Sequence, residues 1–289
     1  MTVRLVPAPS PAGESGPSVA VTWLGQAGFL LQSAPTQTGP GRRGVSVLLD
    51  PYLSDSLATK YAGTEFPHVR LAPPPVTVDE LPPVDLVLCS HRHTDHMDPE
   101  TLRALARRQP DCDFVVPAAL GDHALGLGLP ARRLVVADAG RPFEPLAGVR
   151  VAPVLAAHEE LDLDEQGRSR NLGYVLTLGG VRIYHSGDCV PYVGQVATIA
   201  ALGVQIALLP VNGRDAYRLR RGVPGNFHPH EAVGLATAIG ADVLVGHHFG
   251  LFDFNTVDEA DLADALRGLP PGIQWLRPRM GERYETTGS

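Results

Sequence analysis

The stretch Asp85-Leu86-Val87-Leu88-Cys89-Ser90-His91-Arg92-His93-Thr94-Asp95-His96 runs from an apolar segment straight into three imidazoles and a carboxylate packed within six residues. The apolar part has the length and composition of a buried strand, so the polar cluster falls where that strand ends and the chain turns toward a helix beginning near Pro99. Strand ends carry functional groups in layered α/β proteins, because a rigid strand positions them. His91 and His93 are two apart, so from an extended chain both side chains leave on the same side and can grip one cation. Asp95 and His96 come after the turn begins, point elsewhere, and could hold a second ion. The competing reading is a surface loop that is His-rich by chance. It carries little weight, because so dense a polar cluster directly behind a buried strand is hard to satisfy without a cation.

The rest of the chain reads as two strand-rich halves. Val19–Leu24 and Phe29–Gln32 pair around a bend at Gly25 and Gly28, Val45–Leu49 follows, and Asp98 is a credible N-cap for a helix over Pro99–Arg108. The second half has strands at Val149–Val154, Gly173–Leu178 and Val181–His185, the last two joined by a Gly179-Gly180 turn. A helix is expected over Val190–Leu202, a buried strand over Val204–Leu209, a helix starting near Pro229 and ended by Gly240, a strand over Asp242–Val245, and a closing amphipathic helix over Asp258–Leu269. Two such halves fit an α/β (α+β) protein of four layers, αββα. Residues 52–83, rich in Pro and turn formers, read as an ordered loop ahead of the cluster, with Tyr52, Tyr61, Phe66 and His68 available to line a cleft. Residues 1–18 read as a flexible tail, leaving 19–289 as a single domain.

The order His-x-His-x-Asp-His at 91–96 resembles the signature of the metallo-β-lactamase superfamily, and later segments agree in family order: a strand leading to His158, Gly187-Asp188 after another strand, and His247-His248 after a third. The resemblance implies the four-layer αββα metallo-β-lactamase sandwich. It further implies that His91, His93 and His158 hold one ion, that Asp95, His96 and His248 hold a second, and that Asp188 bridges them. Asp95 doubles as the catalytic group that orients the water or shuttles its proton. Of the adjacent pair His248 is preferred, because Phe249-Gly250 follows it, which leaves His247 to support the ligands from behind. Asp50, in Asp50-Pro51, stands where the superfamily keeps a supporting Asp, with a turn-forming Asp-Pro as the plain alternative. Imidazole and carboxylate donors without thiolate suit two divalent ions, Zn²⁺ or Mn²⁺, with Fe²⁺ also open. A hydroxide on such ions is available near neutral pH, because the metal lowers the pKa of bound water from roughly 15.7 to about 7.

The segments Trp23–Phe29, Leu209–Asp215 and His248–Gly250 are similar to the branch that contains the L-ascorbate-6-phosphate lactonases. That likeness implies hydrolysis of a small anionic ester or lactone, with Asn212 and Arg214 binding the substrate. A phosphodiesterase acting on a nucleotide or a phospholipid head group is the alternative, and a non-catalytic metal-binding protein a third. Composition weighs against nucleic acid: 24 basic residues, of which Lys60 is the sole lysine, face 31 acidic ones, for a formal net charge of −7. No apolar run is long enough to cross a bilayer and no basic amphipathic helix is present, so neither a membrane nor a nucleic acid is expected as partner. A homo-oligomer is left open. Three scattered cysteines, Cys89, Cys112 and Cys189, make no disulfide framework, and with no signal-like N-terminus a cytoplasmic protein is expected.

Overall fold

In the computed structural model, which describes residues 2–8, 19–35 and 43–288, strand alternation sets the layers. One sheet holds β1 (Val3–Pro7), β2 (Val19–Gly25), β3 (Gly28–Ser33), β4 (Ser46–Leu49), β5 (Leu86–Leu88), β6 (Asp113–Pro117) and β7 (Leu134–Ala137). The other holds β8 (Phe143–Leu146), β9 (Val149–Leu155), β10 (Leu172–Leu178), β11 (Val181–His185), β12 (Ile206–Pro210), β13 (Val243–His247) and β14 (Gln274–Leu276). The chain then returns to the first sheet as β15 (Arg283–Gly288), which inserts between β1 and β2.

Along the first sheet, Val21, Trp23, Phe29, Leu31, Val47, Leu49, Leu86, Leu88 and Val115 join the core shared with the second sheet. Their neighbours Leu24, Leu30, Leu48, Val87, Phe114 and Val116 belong to a second core with Leu102 and Leu105. Period-two side-chain alternation therefore splits each strand between two apolar layers. The helix α2 (Pro99–Arg108) covers the outer face, and its start is capped by Asp98, whose carboxylate accepts from Glu100 N at 3.3 Å and Thr101 N at 3.0 Å. On the far side, α6 (Pro229–Ala238) packs on β12 and β13, and α7 (Glu259–Arg267) packs on α6. The result is the expected four-layer αββα sandwich.

Several local expectations are corrected. The tail assigned to residues 1–18 begins instead with β1, which pairs antiparallel with β15 and ties the sheets together: Val3 N donates to Asp242 Oδ2 at 3.0 Å and Leu5 N to Gln274 Oε1 at 2.9 Å. Residues 9–18 of that tail lie outside the described residues. The helix expected over Val190–Leu202 contracts to α4 (Gln195–Ala200), because the chain after Asp188 is held in a turn by Val190 N donating to Ala157 O at 2.8 Å. The loop over 52–83 contains the short helix α1 (Ser56–Lys60), α3 (Gly121–Gly126) follows β6, and the connection after Asp215 contains α5 (Ala216–Leu219).

β4 to β7 run parallel, as do β11 to β14, so the ends of β4, β5, β11, β12 and β13 all open on one rim of the sandwich. At this rim the two sheets are joined by hydrogen bonds from Leu172 N to Ser90 O (2.9 Å) and from Tyr174 Oη to Cys89 O (2.9 Å).

Candidate metal centre

The candidate ligands leave the ends of four strands at that rim. His91, His93, Asp95 and His96 follow β5, His158 follows β9, Asp188 follows β11, and His248 follows β13. One ligand atom from each of His91, His93, His158 and Asp188 lies within 4.8 Å of the others, and the same holds for Asp95, His96 and His248. Asp188 reaches both groups, with Oδ2 at 3.5 Å from His158 Nε2 and Oδ1 at 3.2 Å from Nε2 of both His96 and His248. His91 Nε2, His96 Nε2 and Asp188 Oδ1 are nevertheless buried without a sound hydrogen bond among the described residues. Unsatisfied buried polar atoms cost about 1–3 kcal/mol each, so donors left bare in each of the two groups fit cations bound there.

Charge within the cluster agrees. Burial pushes His91 well below the ordinary imidazole range, with His96 and His93 adding repulsion. Burial likewise lowers His158 to about 4 against the pull of Asp188. Burial also opposes ionisation of Asp188 and Asp95, but His248 and His96 outweigh it at both and hold them well below the usual carboxylate range. His96 and His248 are raised in turn: burial disfavours their charge, and Asp188 with Asp95 overrides it, taking His248 to about 9. A divalent cation among these carboxylates would take the place of those two protons.

Behind the ligands sits a second set of contacts. Asp50 accepts from Ser90 N (2.7 Å), Ser90 Oγ (2.6 Å) and His96 Nδ1 (2.7 Å), which turns His96 Nε2 toward the cluster. His185 is locked between Ala27 O and Gly187 N, at 2.9 and 3.0 Å, as a packed strand histidine. The ring nitrogens of His247 have no hydrogen-bond partner among the described residues; the ring stacks on His185 at 5.3 Å, so it supports the site by packing. Gly187 (φ +60°) is required where it stands, because a Cβ there would lie 2.6 Å from Ser90 Cβ. That close approach brings the Asp188 strand onto the His motif.

The backbone is strained around the same point. Among the described residues the non-glycine positions with positive φ are Gln26, Asp50, His68, Glu159 and His248. All of them are in or beside the site. Strain of this kind costs about 1–3 kcal/mol per residue and persists only where the surroundings impose it, and it concentrates at functional sites.

A cleft of about 350 Å³ opens over His93, Asp95, His158, Asp188 and His248, and Tyr61, Phe66, His68, Lys60, Arg221 and Asn255 also line it. Tyr52, expected among the lining residues, is buried beside Phe252 instead. The two expected substrate-binding residues are corrected. Arg214 does not line the cleft: its guanidinium grips Glu231 at 2.6 and 2.8 Å and donates to Asn226 O at 3.1 Å. Asn212 is buried, bonded to Asn255 and Asn226, and does not reach the cleft either. Cys189 is buried, and burial pushes its thiol up to about 12, so it fills space and offers no thiolate.

Sequence reasoning missed Gln26, whose Nε2 donates to Asp95 Oδ2 at 3.0 Å and whose backbone oxygen accepts from His248 N at 2.9 Å. It also missed Ser90, Lys60 and Asn255. The one available signal was that Gln26 stands between Gly25 and Gly28, in a bend at the end of a paired strand.

A family model described as the beta-lactamase superfamily domain matches residues 46–249. An uncharacterized protein of Mycobacterium tuberculosis is 28% identical over 282 residues, covering 93% of this chain and 69% of its own length. A UPF0173 metal-dependent hydrolase of Methanosarcina mazei is 25% identical over 251 residues, covering 85% of this chain and 90% of its own. Among solved structures, the isothiocyanate hydrolase from Delia radicum gut bacteria superposes with a TM-score of 0.68 at 20% identity, over 91% of this chain and 97% of that one. That last likeness is one of fold.

Proposed function

The chain belongs to the β-lactamase superfamily, and on that premise we propose that it is a metal-dependent hydrolase that opens a small anionic ester or lactone, a phosphorylated sugar lactone being the specific candidate. The observation that supports this best is the placement of Asp188, with one carboxylate oxygen toward His158 and the other toward His96 and His248. A carboxylate shared in this way suits a pair of divalent ions, Zn²⁺ or Mn²⁺ with Fe²⁺ also accepted by these donors, with His91, His93 and His158 on one and Asp95, His96 and His248 on the other. Bound there, the ions supply an activated water near neutral pH and polarise the acyl oxygen of the substrate.

The chain's own residues do the rest. Asp95 lines the cleft, its side chain 17% exposed, and Gln26 Nε2 fixes Oδ2, so the carboxylate is placed to orient a water and take its proton. Tyr61, Phe66 and His68 form an aromatic wall, Tyr61 stacked on His68 at 4.3 Å, that excludes water from one side of the substrate. The anion contact passes from Arg214 to Lys60, whose Nζ is steadied by Thr94 Oγ1 at 3.1 Å and has no carboxylate within ion-pair distance among the described residues. Arg221, anchored by Glu65 at 2.8 Å, adds a second cation to the lining. No thiolate or activated serine is needed.

A hydrolase screen over neutral and phosphorylated lactones, thioesters and phosphodiesters, with Zn²⁺ and Mn²⁺ each supplied to apoprotein, tests the reading. Turnover of anionic lactones or esters above neutral ones is expected, with the preference lost in Lys60→Met. Turnover of phosphodiesters alone would overturn it.

A further inference from the structure

Three buried asparagines run from the peptide after Asp188 to the wall of the cleft. The backbone N–H of Cys189 donates to Asn226 Oδ1 at 2.8 Å, Asn226 Nδ2 donates to Asn212 Oδ1 at 3.0 Å, and Asn212 Nδ2 donates to Asn255 Oδ1 at 2.7 Å. At the far end Arg218 Nη1 donates to the same Asn255 oxygen at 2.8 Å. Arg218 is itself held, by Asp215 Oδ2 at 2.5 Å and Asn212 O at 3.2 Å.

The oxygen and nitrogen of an amide are assigned from their partners, and here the partners leave no choice. A backbone N–H begins the chain and a guanidinium ends it, and both can only donate. Each amide between them therefore has one orientation. Reversing Asn255 would set its NH₂ against two donors. With Oδ1 doubly occupied, the remaining polar atom of Asn255 is Nδ2. It has no partner among the described residues and is not among the buried, unpartnered atoms, and the residue lines the cleft. Arg218 polarises the amide through its oxygen, which strengthens donation from the nitrogen.

We propose that Asn255 Nδ2 is a substrate-binding donor that receives an anionic oxygen, carboxylate or phosphoryl, of the substrate, and that Asn212 and Arg218 are positioning residues one step behind it. This rests on the hydrolase reading of the same cleft. It also accounts for Asn212, which sequence placed on the substrate and the structure places on Asn255.

The test has two arms. In the first, the side-chain amide signals of Asn255 in the Zn²⁺-loaded protein are identified by their loss in Asn255→Asp and followed by ¹⁵N NMR during titration with inorganic phosphate. In the second, KM and kcat are measured for wild type, Asn255→Asp and Asn212→Asp on the best anionic ester of the screen, with metal content and thermal unfolding as controls. Asn255→Asp keeps the oxygen that Asn212 and Arg218 need, so it should fold, while losing the donor. The expected results are a saturable shift of the Asn255 amide with phosphate and a KM raised about ten- to a hundredfold in Asn255→Asp, with kcat changed far less. Asn212→Asp, which frees Asn255 to reverse, should give a smaller change of the same kind. If the Asn255 amide does not respond to phosphate, or KM in Asn255→Asp equals that of wild type, the assignment is wrong. If the amide responds but no ester or lactone is turned over, the hydrolase reading fails and the donor assignment stands.

Discussion

Replacing Asp50 by Asn tests how far the residues behind the ligands control metal binding. Asp50 is 1% exposed and sits at φ +41°, a conformation that Asn tolerates nearly as well, so the backbone has no reason to move. In the native chain Oδ1 takes Ser90 N–H while Oδ2 takes both Ser90 Oγ–H and His96 Nδ1–H. In the variant the oxygen can keep the Ser90 backbone bond only by turning its NH₂ toward His96 Nδ1. Donor then meets donor, and the imidazole relieves the conflict by moving its proton to Nε2, the atom that should hold the ion. Loss of such a supporting contact lowers metal affinity by about 10- to 100-fold, or roughly 1.4–2.7 kcal/mol. Competition for Zn²⁺ against a chelator of known affinity measures it, with circular dichroism to confirm the fold. A variant that binds Zn²⁺ within about twofold of wild type would show that the Asp50 contact does not set the state of His96.

Gly187→Ala should cost about 1–2 kcal/mol from its left-handed backbone alone, and its Cβ, 2.6 Å from Ser90 Cβ, should displace the Asp188 strand. A melting temperature unchanged from wild type, with full metal content, would contradict this. His248→Ala should deplete metal while His247→Ala largely retains it, as elemental analysis can determine; equal depletion would mean that the packed ring does more than fill space. Arg214→Ala should leave KM for anionic esters near the wild-type value, since the side chain is committed to Glu231. Burial raises Glu231, but Arg214 overrides it and holds its pKa below the ordinary 4.5. The pair therefore contributes stability above about pH 4.5 that is lost as pH falls through the lower folded value, and Glu231→Gln, roughly 1 kcal/mol less stable at pH 7, should converge on wild type in acid unfolding. A constant difference down to pH 3 would refute that assignment.

Much of the molecule was legible in the residues alone. The helix over Pro99–Arg108 is bounded where its Asp98 cap and Pro99 start place it, and the strands around Val21, Leu31, Val47 and Val87 follow from alternation, because both signals are local. The cluster that could hold metal was legible for the same reason: His91 to His96 are contiguous, and His158, Asp188 and His248 each stand just beyond an apolar run. What only the tertiary structure decided depends on partners far along the chain. β1 is a strand because Glu285 to Gly288 lie beside it, and Gln26 matters because Asp95 is folded against it. Arg214 is expected from the family likeness to bind the substrate, yet Glu231, one helix away, claims it; the sole lysine, unremarkable in the sequence, is left facing the cleft. A side chain's type sets what it can bind, but which partner satisfies it first is settled by packing, and for long polar side chains that competition is invisible until the elements are in place.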